Sequence, residues 1–241
     1  MFSPPEMLVP KRPMMPLEFG LKSLAANSVA AGWVVVVPVK GSSGAKSRLG
    51  NMPERAALAD TIALDTVTAL LAASAVDRVF VVTGSGRLGI RLAALGAVIV
   101  PETMANTTGH DRLNAAIEQG IAAARLVRPD ANLAVMTGDL PALRLADVDT
   151  VFGLAAAHLR SMVPDAEGIG TTTLFARAGV MLVPRFGPDS RAAHETAGHV
   201  VLDLPSRSSI RRDVDTAADL DVARALGLGP NTSVLLDSVQ H

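Results

Sequence analysis

Three cationic side chains follow a run of valines. The run lies near the start of the region in which strand and helix signals alternate. Residues 34–37 are all valine, which is typical of a buried parallel strand, and Lys40, Lys46 and Arg48 stand in the loop after it. In open α/β sheets, ligands bind at the carboxyl ends of the strands. Two glycines in the loop let the backbone approach a ligand, and lysine and arginine neutralise phosphate charge. The loop is therefore predicted to bind the polyphosphate of a nucleoside triphosphate.

Aspartates in two other segments have a spacing suited to a metal ion. Asp139 directly follows a predicted buried strand in TGDLP, and Asp213 and Asp215 alternate in DVDT. Alternate residues of an extended segment point the same way, and Mg²⁺ prefers one or two carboxylates together with substrate phosphates. Each segment also has a purely structural interpretation, with Asp139 as a turn residue before Pro141 and Thr216 as the N-cap of a helix. We predict that the aspartates hold Mg²⁺, and helix capping by Thr216 is compatible with that role.

A third segment with the composition of a binding site is RFGPDS, residues 185–190. A Gly-Pro break followed by aspartate and serine predicts the N-terminus of a short helix, where backbone N–H groups attract anions. Arg185 and Arg191 add positive charge suited to a phosphate or a carboxylate. The alternative is that Ser190 is an N-cap and nothing more.

The composition excludes several kinds of partner. With a net charge of −1, the chain has no global basic field for nucleic acid or a membrane surface. Cysteine is absent, which excludes disulfides and thiolate metal sites and fits a reducing, cytoplasmic compartment. No apolar run approaches the roughly 18 residues that span a bilayer. The histidines lack metal-ligand spacing, and most of them are expected at the surface or as caps.

Strand and helix signals alternate along most of the chain, which predicts a single α/β domain with a mostly parallel sheet covered by helices on both faces. Residues 1–32 contain five prolines and no clean period, so we predict a disordered extension before a domain at 33–241. After the valine run, strands are expected at 77–83, 97–100, 132–137, 161–163, 171–175 and 200–202. Helices are expected from about residue 51 to 70 and at 87–95, 111–127, 145–158 and 217–226.

Four segments together resemble one known family. VPVKGSSGAKSRL, GDLPAL, RFGPDS and DVDTAADL are similar to the CofC/FbiD guanylyltransferases of coenzyme F-420 biosynthesis, over about residues 33–230. The resemblance implies a fold like that of the nucleotide-diphospho-sugar transferases. It also implies an enzyme that condenses GTP with phosphoenolpyruvate or 2-phospho-L-lactate and releases pyrophosphate. RFGPDS resembles the branch that uses phosphoenolpyruvate.

The resemblance also implies roles for individual residues. It assigns Lys40 and Lys46 to the triphosphate, and Asp139 with Asp213 or Asp215 to Mg²⁺. The three-carbon acid would be bound by Thr171, Gly187 and Ser190, and the nucleotide by Asp111 and Asn114. This chain holds GIGTTT at 168–173, with one extra residue before RFG, so Thr172 is an alternative to Thr171.

Three alternatives to guanylyl transfer onto phosphoenolpyruvate stay open at this point. The acceptor could be phospholactate, or the chain could be another nucleotidyltransferase of the same fold that acts on a sugar phosphate. A non-catalytic nucleotide-binding regulator is a further alternative, although a pure binder needs fewer carboxylates. Partners are expected to be small molecules, and the Ala-rich helices could pair two copies as a homodimer.

Overall fold

A computed structural model describes residues 32–39, 55–103 and 108–239 of the chain. The loop with Lys40, Lys46 and Arg48 lies outside these residues, as does the predicted N-terminal extension, 1–32, except for its last residue. The roles assigned to the three cations and the boundary of the extension therefore stay predictions.

The described residues form one α/β domain whose strands build a seven-stranded sheet. The strands are β1 (Trp33–Val39), β2 (Val76–Thr83), β3 (Val98–Pro101), β4 (Asn132–Met136), β5 (Arg160–Pro164), β6 (Thr171–Ala176) and β7 (Val200–Val201). Their order across the sheet is β3-β2-β1-β4-β6-β5-β7. Strand β6 runs antiparallel to β4 and β5, and the other pairs are parallel. The predicted fold class, an α/β domain with a mostly parallel sheet, is confirmed.

Seven helices accompany the sheet within the described ranges. They are α1 (Arg55–Ala72), α2 (Gly86–Ala94), α3 (Gly109–Val127), α4 (Leu145–Ala155), α5 (Ser190–Thr196), α6 (Ala217–Leu226) and α7 (Pro230–Val239), with a 3-10 helix at Ser209–Arg211. No helix in the described residues is both long and apolar enough to cross a membrane.

The valine run of β1 lies at the centre of the sheet because its side chains have apolar partners on both faces. Val35 and Val37 belong to a core with α1, α2 and α4, whereas Val34 and Val36 belong to a second core under α3. Trp33, at the start of the strand, is in edge-to-face contact with two phenylalanine rings. Burial on both faces holds β1 rigidly, and β1, β2, β3 and β4 present their carboxyl ends at one edge of the sheet.

Helix α7 does not follow from the sequence pattern, and its N-terminus shows why. The carboxylate that accepts its first N–H groups belongs to Asp65, on α1, and accepts from the backbone of Asn231 and Thr232 at 3.0 and 2.8 Å. A cap supplied from another helix leaves no local signal at the start of the capped one.

Candidate active site

A cleft of about 190 Å³ opens at the carboxyl edge of the sheet. Its wall includes Asp139 after β4, Asp215 before α6, and Phe186 from RFGPDS. Side chains of α1 and α3 close its apolar sides. The cleft therefore joins three of the segments that the sequence predicts to carry chemistry.

The loop that carries Asp139 is held at successive backbone groups. The carbonyl of Asp139 accepts from Val214 N–H at 3.0 Å, and Leu140 N–H donates to the Thr66 hydroxyl at 3.0 Å. The carbonyl of Pro141 accepts from Gly229 N–H at 2.7 Å, at the entrance to α7. Three separate parts of the fold thus fix the position of this aspartate.

Gly138, next to Asp139, allows the loop to pass close to β1. A Cβ at this position would lie 3.0 Å from Val39 Cγ2 and 3.2 Å from the Pro38 carbonyl oxygen. Such contacts are too short for any larger residue without movement of the strand. The glycine therefore brings Asp139 to the end of β1, where the predicted phosphate loop begins.

The DVDT segment brings further carboxylates to the same place. Val214 is buried, Asp213 is part-buried, and Asp215 lies at the surface of the cleft. The predicted N-cap is confirmed, because Thr216 forms a capping box with Asp219 at the start of α6. The segment therefore caps a helix and also presents acidic side chains to the cleft.

The carboxyl group of Asp213 lies near other carboxylates. Partial burial and nearby carboxylates raise the pKa of this side chain to about 8. The carboxylates that act on it are those of Asp139, Asp215 and Asp165. Asp165 is an addition to the predicted set, and its own carboxylate accepts from Ile169 N–H and Gly170 N–H in the glycine segment.

These acidic side chains fit a divalent cation that is shared with a ligand. Within the described ranges, no three acidic or histidine side chains lie close enough to hold a metal ion by themselves. Mg²⁺ commonly uses only one or two carboxylates and completes its shell with substrate phosphates and water. Mutual repulsion of carboxylates is also what a bound cation relieves. The donor set therefore fits Mg²⁺ bound together with a nucleotide.

We call RFGPDS (residues 185–190) the acid loop, after the three-carbon acid that the sequence resemblance assigns to it. Asn114 links this loop to α3 by hydrogen bonds. The Asn114 amide donates to the Phe186 carbonyl at 2.9 Å and accepts from Phe186 N–H at 2.9 Å. Sequence resemblance assigns Asn114 to the nucleotide, whereas in the structure its amide is engaged with the acid loop. Asp111, its companion in that assignment, lies exposed in the first turn of α3.

The acid loop leads into α5 through residues with positive φ angles. Asp189 has a φ of 53°, and this residue is the N-cap of α5, so the alternative interpretation of Ser190 as the cap is wrong by one position. Ser190 is the first helical residue and is buried. Gly187 has a φ of 149°, and a Cβ there would lie 3.1 Å from Cγ of His110.

Both candidate threonines are buried. The Thr171 hydroxyl lies 3.0 Å from Nδ1 of His194, and the Thr172 hydroxyl donates to the Ile210 carbonyl at 2.7 Å. On β5, Val163 is opposite Thr173 while Pro164 is opposite Thr171, so Thr172 is the extra residue of a β-bulge. The bulge interrupts the regular pairing at this point, and the two hydroxyls have different partners.

Two histidines are exceptions to the expectation that most of them lie at the surface or act as caps. His194 and His199 are buried, with rings 5.7 Å apart. Spacing rules for metal ligands gave no reason to select His194, because its partners are a hydroxyl and a backbone N–H. The one available signal was its position four residues after Ser190, on the same side of a short helix.

Comparison with known proteins identifies the family. The model of the family described as "Guanylyl transferase CofC like" matches residues 33–235. The chain belongs to this family. The match takes in every described element of the sheet and every segment that contributes to the cleft.

Two relatives match most of the chain. A phosphoenolpyruvate guanylyltransferase of Streptomyces coelicolor is 46% identical over 206 residues, 84% of this chain and 95% of the relative. Another, of Thermomonospora curvata, is 44% identical over 205 residues, which cover 84% of this chain and 88% of the relative.

Solved structures of low sequence identity share the fold. A proposed nucleotide-diphospho-sugar transferase from Desulfovibrio desulfuricans has a TM-score of 0.63 at 18% identity and covers 87% of this chain and 96% of its own. A 4-diphosphocytidyl-2C-methyl-D-erythritol synthase has a TM-score of 0.57 at 14% identity, with 83% and 99% covered. The predicted likeness to the nucleotide-diphospho-sugar transferases is confirmed at the level of the fold.

Proposed function

We propose that this chain is a phosphoenolpyruvate guanylyltransferase of coenzyme F-420 biosynthesis. It would condense GTP with phosphoenolpyruvate to give enolpyruvyl-diphospho-guanosine and pyrophosphate. The observation that carries the proposal is the cleft, which Asp139 after β4 and Asp215 before α6 line together with Phe186 of the acid loop. The names of relatives that are 44–46% identical over most of their length support the same reaction.

The proposed chemistry is an in-line displacement at the α-phosphorus of GTP. A phosphate oxygen of phosphoenolpyruvate forms the new P–O bond, and the bond to the β-phosphate breaks as pyrophosphate leaves. The nucleophile is already an anion, so the protein needs no covalent intermediate and no general base for it. Its task is to position two anions close together.

We assign the protein's contributions by segment. Lys40, Lys46 and Arg48 would neutralise the triphosphate. The acid loop and the neighbouring threonines would hold the three-carbon acid through Thr171 or Thr172, Gly187 and Ser190. Asp111 and Asn114 would lie toward the nucleotide, where Asn114 also fixes the acid loop against α3.

We also propose Mg²⁺ as the cofactor, held by Asp139 together with Asp213 or Asp215. When bound, the ion would neutralise charge on the triphosphate and on the leaving pyrophosphate. The partners would be these small molecules, in the cytoplasm, and a homodimer stays a prediction.

The test is pyrophosphate release by the full chain with GTP and Mg²⁺, with phosphoenolpyruvate and 2-phospho-L-lactate supplied separately. We expect release with phosphoenolpyruvate, and a product whose mass equals the sum of the substrates minus pyrophosphate. Release with phospholactate alone would reassign the acceptor, and release with a hexose 1-phosphate alone would indicate a sugar-phosphate enzyme. Tight GTP binding with no release would indicate a regulator.

A further inference from the structure

One buried side chain connects the two segments assigned to the three-carbon acid. His194, on α5, is fully buried. Its Nε2 accepts from the backbone N–H of Arg185, the first residue of the acid loop, at 3.0 Å. Its Nδ1 lies 3.0 Å from the hydroxyl of Thr171, on β6.

The donors and acceptors around the ring fix its tautomer. A backbone N–H can only donate, so Nε2 of His194 must be the unprotonated nitrogen. The ring proton is then on Nδ1 and is donated to the Thr171 hydroxyl. Burial, together with the nearby His199 and Arg185, lowers the pKa of His194 to about 4 and keeps the ring neutral near pH 7.

The contact with His194 is one of two that hold consecutive residues of the acid loop. Arg185 N–H is held by His194, and Phe186 N–H is held by Asn114 at 2.9 Å. The Phe186 ring also packs edge-to-face against the imidazole, with centroids 5.2 Å apart. Side chains of α3 and α5 therefore fix the backbone of the two residues that precede Gly187.

We propose that His194 is a positioning residue, which sets the acid loop relative to β6 so that phosphoenolpyruvate is bound in place for attack on GTP. His194 itself would touch no reacting atom. The inference rests on the proposed function, because it takes the loop to bind the acid. It requires the specific Nδ1–H form, since the other tautomer would direct an N–H at the Arg185 N–H.

Two amide replacements separate the two hydrogen bonds of the ring. In His194→Gln, the side-chain oxygen can reach the position of Nε2 and still accept from Arg185 N–H. In His194→Asn, the shorter amide reaches only toward Thr171, so the hold on the acid loop is lost. We expect KM for phosphoenolpyruvate to rise at least about tenfold in H194N and by less than about threefold in H194Q, with KM for GTP unchanged in both.

His199→Asn is the matched control for general damage to this buried cluster. His199 is buried beside His194, and its Nδ1 donates only to the main-chain carbonyl of His194. We expect its thermal stability to fall while KM for phosphoenolpyruvate stays at the wild-type value. An equal rise of KM in H199N and H194N would overturn the inference, since packing alone would then explain the effect.

Nitrogen NMR of the full wild-type chain, with labelled histidine rings, tests the tautomer of His194 directly. The measurement needs no activity assay, so it decides the question even if the variants fail to fold. We expect a protonated Nδ1 and an unprotonated Nε2 for His194, unchanged from about pH 8 down to about pH 6. An imidazolium or an Nε2–H form in that range would overturn the inference. A wild type without pyrophosphate release would refute the proposed function, whereas an active wild type with equal KM values in H194N and H194Q would refute only the role of His194.

Discussion

Asp65 and Asp213 are carboxylates withdrawn from bulk water in two regions of the molecule with opposite surroundings. Asp65 is buried on α1 and accepts three hydrogen bonds from the start of α7, at 2.8–3.0 Å. Asp213 lies beside the cleft among other carboxylates, which together with burial raise its pKa to about 8. Hydrogen-bond donors around a buried carboxylate offset the free-energy cost of burying it, whereas clustered like charges destabilise a fold.

The difference shows which region serves structure and which serves chemistry. Asp65 joins the first described helix to the last one, and Gly229, just before α7, donates to the Pro141 carbonyl in the loop of Asp139. The region around Asp65 therefore supports the loop of Asp139, one of the carboxylates that act on Asp213. Strongly perturbed carboxyl pKa values in a cleft are typical of functional sites.

The largest effect is expected from Asp139→Asn. The amide keeps the shape of the side chain but removes the charge proposed to hold Mg²⁺. We expect turnover to fall at least about 100-fold, or about 2.7 kcal/mol in transition-state free energy, with the unfolding midpoint close to wild type. Pyrophosphate release and chemical denaturation measure the two quantities. Turnover within about threefold of wild type would exclude a catalytic role for this carboxylate.

Asp65→Ala should affect mainly the unfolding free energy, whereas Asp139→Asn should affect mainly turnover. D65A removes the cap of α7 and leaves the backbone N–H groups of Asn231 and Thr232 without their acceptor, so we expect a loss of about 2 kcal/mol in unfolding free energy. Urea denaturation gives the value, and Asp65→Asn, which keeps one acceptor oxygen, should lose less. Unchanged stability in D65A would contradict the structural assignment.

Asp213→Asn should alter how stability depends on pH. The folded-state pKa is raised from the ordinary value of 3.8 to about 8, so the folded protein keeps a proton that the unfolded chain releases. The stability due to this group is full below the unfolded pKa and is lost as the pH rises through the folded one. We expect D213N to be more stable than wild type at pH 8, by on the order of 1 kcal/mol or more, with a gap that narrows toward pH 5. Thermal unfolding at both pH values would show a constant gap if Asp213 were not perturbed.

The smallest effect is expected for a carboxylate that belongs to neither region. Asp221, on α6, pairs with Arg224 at 3.4 Å, and its side chain is 74% exposed. Exposed pairs of this kind contribute little, so Asp221→Ala should change unfolding free energy by less than about 0.5 kcal/mol and leave turnover unaltered. The variant is the control for D139N and D213N in the same assays. A large effect on turnover would mean that the loss of any acidic charge, and not only of the clustered carboxylates, disturbs the enzyme.

The elements with a local signal could be predicted, often to within a residue or two. The bounds of α6 are those expected, because Thr216 and Asp219 form their capping box within the segment. Helix α7 could not be predicted, because its cap comes from Asp65, which is 166 residues away from Asn231. The bulge at Thr172 also depends on pairing with β5, which the order of residues does not specify.

The residues of the candidate site also form two groups, those with a local sequence signal and those without one. Asp139, Asp213 and Asp215 could be selected because acidic residues at strand ends and in extended segments have a recognisable pattern. Asp165 and His194 could not, because their importance comes from distant neighbours: the Asp213 carboxylate for one, and Arg185 N–H for the other. The engagement of Asn114 with Phe186 joins residues 72 positions apart and likewise leaves no local pattern.

The most direct test of the clustered carboxylates as a cation site is the Mg²⁺ dependence of pyrophosphate release, from GTP and phosphoenolpyruvate, at about pH 6 and about pH 8. Because Asp213 must lose its proton to bind a cation, we expect the half-maximal Mg²⁺ concentration to fall clearly at the higher pH. Asp139→Asn should raise the requirement at both pH values, and Asp221→Ala should not. Release without a divalent cation, or a Mg²⁺ requirement that neither pH nor D139N changes, would contradict the assignment of these aspartates.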